Sequence, residues 1–174
     1  MENYRNRVKQ LADSHSKEVI PNATVAHATV LIENLFSHAK SKVCIFSGQL
    51  NKEVYGNSNV FNNAVAFLSK PTSELEILIE DPPADVMEND LVLACIKRGE
   101  GAGKCTIKFV QTPQDKEINC HFIIVDGKSW RFEPDKRSAA AIACFDDDIF
   151  GKQLDDIFSS MFSRAALLNP QVSN

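Results

Sequence analysis

The stretch NCHFIIVDGKSWRFE, residues 119–133, constrains the fold more than any other. A short apolar run ends at Val125, Asp126-Gly127 follows, and SWRFE then alternates. Asp-Gly between two strand-forming runs selects a type I′ turn, because both central residues must take φ > 0. The segment therefore reads as an antiparallel hairpin. Upstream, strand-like and helix-like runs alternate instead, which calls for parallel neighbours joined by crossovers. A chain holding both needs a mixed sheet.

The expected elements follow from periodicity. KVCIFSG (42–48), SELEILIE (73–80), KCTIKFVQ (104–111) and AAAIACF (139–145) read as strands. SELEILIE sets Leu75, Ile77 and Ile79 against Glu74, Glu76, Leu78 and Glu80, which predicts one wetter side. Helices are expected over 2–14, over 23–40 behind a cap at Asn22 or Thr24, over NSNVFNNAVAFLSK behind Asn57 or Ser58, and over 86–97. A closing helix, capped by Asp147 or Asp148, carries a stripe through Phe150, Leu154, Ile157, Phe158, Met161 and Phe162. The order α-α-β-α-β-α-β-β-β-β-α predicts an α/β fold, a mixed β-sheet with helices on both faces. Residues 1–22 form an N-terminal helical extension in this reading, 23–168 the α/β domain, and 169–174 a disordered tail.

Composition removes several function classes. With 44% hydrophobic residues in 174, the chain can bury a substantial core. A net charge of −4 argues against a broad basic surface for nucleic acid, and leaves room for a local site or one formed between subunits. No apolar run reaches the roughly 18 residues of a membrane span. MENYRNRVKQLADS has no apolar leader core, so no membrane association and a cytoplasmic location are expected. The five cysteines form no CxxC, which predicts reduced, buried thiols.

Three motif-like segments point to bland roles. GEGAGKCT (99–106) looks like a phosphate-binding loop, but Arg98 stands at its first glycine position and Cys105 at its Ser/Thr position. It reads as a helix-to-strand loop. His27 and His38 lie about 16 Å apart along one helix, too far to share a metal. FDDDIF suits helix capping. No metal and no cofactor are expected.

The chemistry-bearing residues cluster in the opening hairpin: Asn119, His121, Asp126, Lys128 and Arg131. NCHFIIVD followed by glycine resembles the HxKxxxxD signature of the phospholipase D superfamily, which lies on a strand ending in an Asp-Gly turn. The resemblance extends over roughly residues 23–166, through KVCIFSG, LEILIE and AIACFDD. It implies one phospholipase D-like half. In active members two such histidines meet, one attacking phosphorus and the other protonating the leaving oxygen. Here Asn119 stands at the histidine position and His121 at the lysine position; Asp126 matches the aspartate, and the later GSxN segment is replaced by GKSWRFEPDKRSAAA. An asparagine amide has no basic lone pair for nucleophilic attack.

The resemblance thus implies a catalytically degenerate binding or regulatory module for nucleic acid or a partner protein, paired as a homodimer. Asn119, Lys128 and Arg131 would bind phosphate or another ligand, and Asp126 and Gly127 would shape the turn. The alternative is an active, metal-independent nuclease or phosphodiesterase using His121 at a homodimer interface. Asn119 and His121, two apart, are expected on one strand face, and Trp130 in the core.

Overall fold

The computed structural model describes residues 1–98, 102–138 and 140–168. The first three residues of the phosphate-loop lookalike (99–101) and the expected disordered tail (169–174) lie outside the described residues. In chain order the elements are α1 (Glu2–Asp13), β1 (Ile20–Asn22), α2 (Val25–His38), β2 (Lys42–Ser47), α3 (Lys52–Tyr55), α4 (Ser58–Leu68) and β3 (Glu74–Ile79). A 3₁₀ turn (Val86–Glu88) precedes α5 (Asp90–Lys97), β4 (Lys104–Phe109), α6 (Pro113–Lys116), β5 (His121–Val125), β6 (Ser129–Glu133), β7 (Ala141–Cys144), α7 (Asp148–Arg164) and β8 (Ala166–Leu167).

The eight strands form one mixed sheet in the order β1-β7-β6-β5-β2-β3-β4-β8. β2, β3 and β4 run parallel; β5 joins β2 antiparallel and opens the meander β5-β6-β7. The hairpin turn forms as expected. Asp126 and Gly127 have φ of 52° and 71°, and the Lys128 N–H closes the turn on the Val125 carbonyl.

Alternation along the strands divides the core between two faces. Val43, Ile45, Leu75, Ile77 and Ile123 join the side chains of α1, α2, α4 and α5 on one face. Cys44, Phe46, Leu78, Ile124 and Trp130 meet α7 on the other. Thr24 caps α2, its hydroxyl accepting from the His27 N–H, and Asp147 caps α7 through the Phe150 N–H.

The structure departs from the expectations in three places. β3 keeps its wetter side only at its start: Glu74 and Glu76 are half-buried, the latter tied to Lys42 at 2.9 Å, while Leu78 and Glu80 further along the same side are buried. Ile157 falls off the buried stripe of α7 and is exposed. Not all cysteines are free, since Cys95 and Cys105 pair as a disulfide and leave Cys44, Cys120 and Cys144 as thiols. The first 22 residues pack against the main core through Val8, Leu11, Ala12 and Ile20, and β1 forms a sheet edge against β7.

Candidate functional site

The parallel strands β2 and β3 end beside the start of β5, where α/β sheets commonly place ligands. A cavity of about 700 Å³ opens there, walled by the start of α2, by α3 and by the loop after β3. His121, the first residue of β5, lines it. Gly48, just past β2, lets the ring seat against the backbone: a Cβ there would stand 3.0 Å from its Cε1 atom. Phe46 meets the ring edge-on at 5.5 Å between centroids.

Both ring nitrogens of His121 face carboxylates. Nε2 lies 3.1 Å from Oε2 of Glu80, and Nδ1 lies 3.9 Å from Oε1 of Glu133, its register partner on β6. The other oxygen of each carboxylate is also engaged. Lys136 donates to Glu80, while Arg131 donates to Oε2 of Glu133 through Nη1 and Nη2 at 3.2 and 3.1 Å. Arg131 Nε then donates to Oδ1 of Asn22 at 3.0 Å. A continuous chain results, Lys136–Glu80–His121–Glu133–Arg131–Asn22. At the rim, Lys52 pairs with Asp85.

Of the residues singled out in the sequence, His121 and Arg131 come together here. Lys128 does not: it flanks the far end of β6, about 16 Å along the strand from Glu133, and pairs with Asp146 at 3.6 Å. Asn119 does not share a strand face with His121, because β5 begins at His121 and the Asn119 amide is directed at Asp135, at 3.5 Å. Asp126 sits at the opposite end of β5, accepting the N–H groups of Lys40, Ser41 and Lys42 and the Ser41 hydroxyl at 2.8 to 2.9 Å. Burial alone would raise its pKa; these four hydrogen bonds outweigh it and hold the carboxyl below its usual range. Trp130 is core, as expected.

Glu80, Glu133, Lys136 and Tyr55 escaped the sequence reading. Tyr55 ends α3 and lines the cavity, and burial pushes its phenol pKa up, with Arg131 opposing and Glu133 adding to that push. Leu50, in the turn before α3, is held at a φ of 57° by bonds from its N–H to the Ser47 hydroxyl and to its carbonyl from Asn89. Such a conformation in a bulky residue persists only where its surroundings enforce it. Among the described residues, no group of three or more His, Cys, Asp or Glu is arranged to hold a metal ion.

A mixed sheet of this order, with helices on both faces and a cavity at the ends of β2 and β3, has the fold of one phospholipase D-like half. Solved structures agree. Nuc from Salmonella typhimurium, a phospholipase D family member, matches with a TM-score of 0.59 at 10% identity, over 87% of this chain and 98% of that one. The phosphatidylserine synthase of Haemophilus influenzae Rd KW20 matches at 0.58 and 12% identity, over 87% of this chain and 39% of its own. TrmBL2, an archaeal chromatin protein with a novel mode of DNA binding, matches at 0.60 and 10% identity; the likeness covers 95% of this chain but only 61% of that protein. At these identities the likeness is one of fold. No curated protein matches the sequence significantly. By sequence the chain belongs to the family described as a domain of unknown function, DUF7931, whose model matches residues 22–169.

Proposed function

We propose that this chain is a catalytically degenerate phospholipase D-like protein that binds rather than cleaves. The observation that carries this reading is the setting of His121. A histidine nucleophile needs an unprotonated lone pair aimed at phosphorus. Here Nε2 is aimed at Glu80 instead, and that contact is attractive only when the nitrogen carries a proton. Two carboxylates beside the ring also repel a phosphodiester. Among the described residues, the cations lining the cavity, Lys52, Arg131 and Lys136, are each paired with a carboxylate and leave no free charge for a transition state. Asn119, at the position of the attacking histidine, lies outside the cavity.

The bound partner in this reading is nucleic acid, supported by the fold shared with the chromatin protein TrmBL2. With a net charge of −4, contact would be local, or completed by a second copy of the chain in a homodimer. Fluorescence anisotropy with single- and double-stranded DNA tests binding, and light scattering tests pairing. Loss of anisotropy change with every DNA would redirect the partner to protein. Catalysis is tested with DNA and bis(p-nitrophenyl) phosphate in EDTA. The expected turnover is no greater than that of His121→Ala; turnover abolished by that substitution would establish a metal-independent phosphodiesterase and overturn the proposal.

A further inference from the structure

The ion-pair chain around His121 leaves the Tyr55 hydroxyl, at the cavity wall, unused. Tyr55 is 7% exposed and lines the cavity; its hydroxyl makes no hydrogen bond among the described residues and is open to solvent there rather than sealed in the core. Arg131 and Glu133 lie near enough to act on this phenol, and burial keeps it protonated. It therefore offers one donor and one acceptor to whatever enters.

The charges of the cavity narrow what that occupant is. Lys52 stands beside Asp85, Arg131 beside Glu133, and Lys136 beside Glu80. A bare cation matches a phosphate, and a bare carboxylate matches an ammonium group. A cation and carboxylate side by side present a donor and an acceptor together, which matches a hydroxyl, since a hydroxyl donates and accepts at one atom. Neighbouring pairs match neighbouring hydroxyls. A net-charged ligand would bring its own charge into a cavity whose charges already cancel in pairs, at the cost of its hydration. Val25, Ile32, Val54 and Phe46 supply an apolar wall for a carbon skeleton. The volume of about 700 Å³ suits a small ligand of one or two rings.

We infer that this cavity binds an uncharged, polyhydroxylated small molecule of sugar size, with the Tyr55 hydroxyl as its anchoring contact. This inference rests on reading the cavity as a binding site rather than a cleaving one. It concerns the cavity alone and is independent of any nucleic acid held elsewhere on the surface.

The test uses the full chain in calorimetric titrations with glucose, ribose and myo-inositol, and in parallel with glucose 6-phosphate, ribose 5-phosphate and inorganic phosphate. At least one uncharged polyol is expected to saturate, with its phosphate ester at least about tenfold weaker. Tyr55→Phe removes an unpartnered hydroxyl and keeps the ring, so the fold is expected to persist by circular dichroism while polyol affinity falls about tenfold. On the unaltered protein, the Tyr55 ring resonances should shift as the polyol saturates, which checks the contact without any substitution. No saturation by any of the three polyols at about 10 mM overturns the inference, as does equal or tighter binding of the phosphates. Unchanged polyol affinity in a folded Tyr55→Phe also overturns it. Failure of the underlying reading looks different: His121-dependent cleavage of bis(p-nitrophenyl) phosphate would show a cleaving site, whereas no cleavage together with no polyol binding removes only this inference.

Discussion

Asp126 holds the hairpin to the rest of the sheet from the end opposite His121. Its carboxylate accepts three successive backbone N–H groups at the entry to β2, plus the Ser41 hydroxyl. Hydrogen bonds to a charged acceptor contribute more than neutral ones, and losing the acceptor leaves several donors short of a partner. Asp126→Ala is therefore expected to cost about 3 kcal/mol in urea unfolding. The pH dependence follows from the lowered carboxyl pKa. A group with a depressed folded pKa contributes stability above its unfolded value, about 3.9, and loses it as pH falls through the folded value. The wild-type chain should lose stability on acidification below about pH 4, and Asp126→Asn should lose less over the same window. Parallel acid profiles of the two proteins would dispose of this assignment. The Asp-Gly turn itself was legible because turn chemistry is local. The clamp was not, because its partners lie about 85 residues away in sequence. The same limit governed the cavity: His121 and Arg131 stood in one suspicious hairpin, whereas Glu80 and Tyr55 arrive from the end of β3 and from α3.

At the scale of elements, legibility tracked length. α2, α4 and α7 run long enough to show helical spacing and were expected close to where they occur. β1, α3, α6 and β8 have two to four residues each, too few for any period to emerge. β3 misled toward its end, where Glu80 reads as solvent-facing, while the central position of the strand forces it to find a partner inside. The disulfide was equally hidden: Cys95 lies in a helix and Cys105 in a strand, ten residues apart with no recognisable motif, and only the fold brings their Cα atoms to 5.6 Å. It joins α5 to β4. Closing a loop of this size restricts the unfolded chain by about 2–3 kcal/mol in the chain-entropy picture. Reduction should lower the melting temperature accordingly. In denaturant without reductant, a thiol reagent should find the three free cysteines Cys44, Cys120 and Cys144. In the native fold these three should react slowly, because burial pushes each thiol pKa up. Detection of all five thiols in unreduced protein would exclude the bridge.

At the scale of the whole molecule, the N-terminal 22 residues decide where the independently folding unit begins. The sequence reads them as a helical extension before an α/β domain, since α1 is polar over most of its surface. In the fold, Val8, Leu11 and Ile20 are buried with the main core, β1 covers the edge of β7, and the Ser16 carbonyl accepts from the Phe145 N–H. Burying each of these large apolar side chains contributes about 1.5–3 kcal/mol. Together they amount to several kcal/mol, a large share of the 5–15 kcal/mol by which domains are typically stable. Removing residues 1–22 would also free the edge of β7, a template for pairing with other chains. The site would be touched as well, because Asn22 accepts from Arg131 Nε and its loss leaves that buried guanidinium short of a partner. A chain beginning at residue 23 is therefore expected to melt well below the full-length protein, or to aggregate before it melts. Thermal unfolding of the two forms side by side, with light scattering to follow association, measures this directly. If the shortened chain stays monodisperse and unfolds cooperatively at an unchanged temperature, residues 1–22 are an appendage and the domain is complete without them.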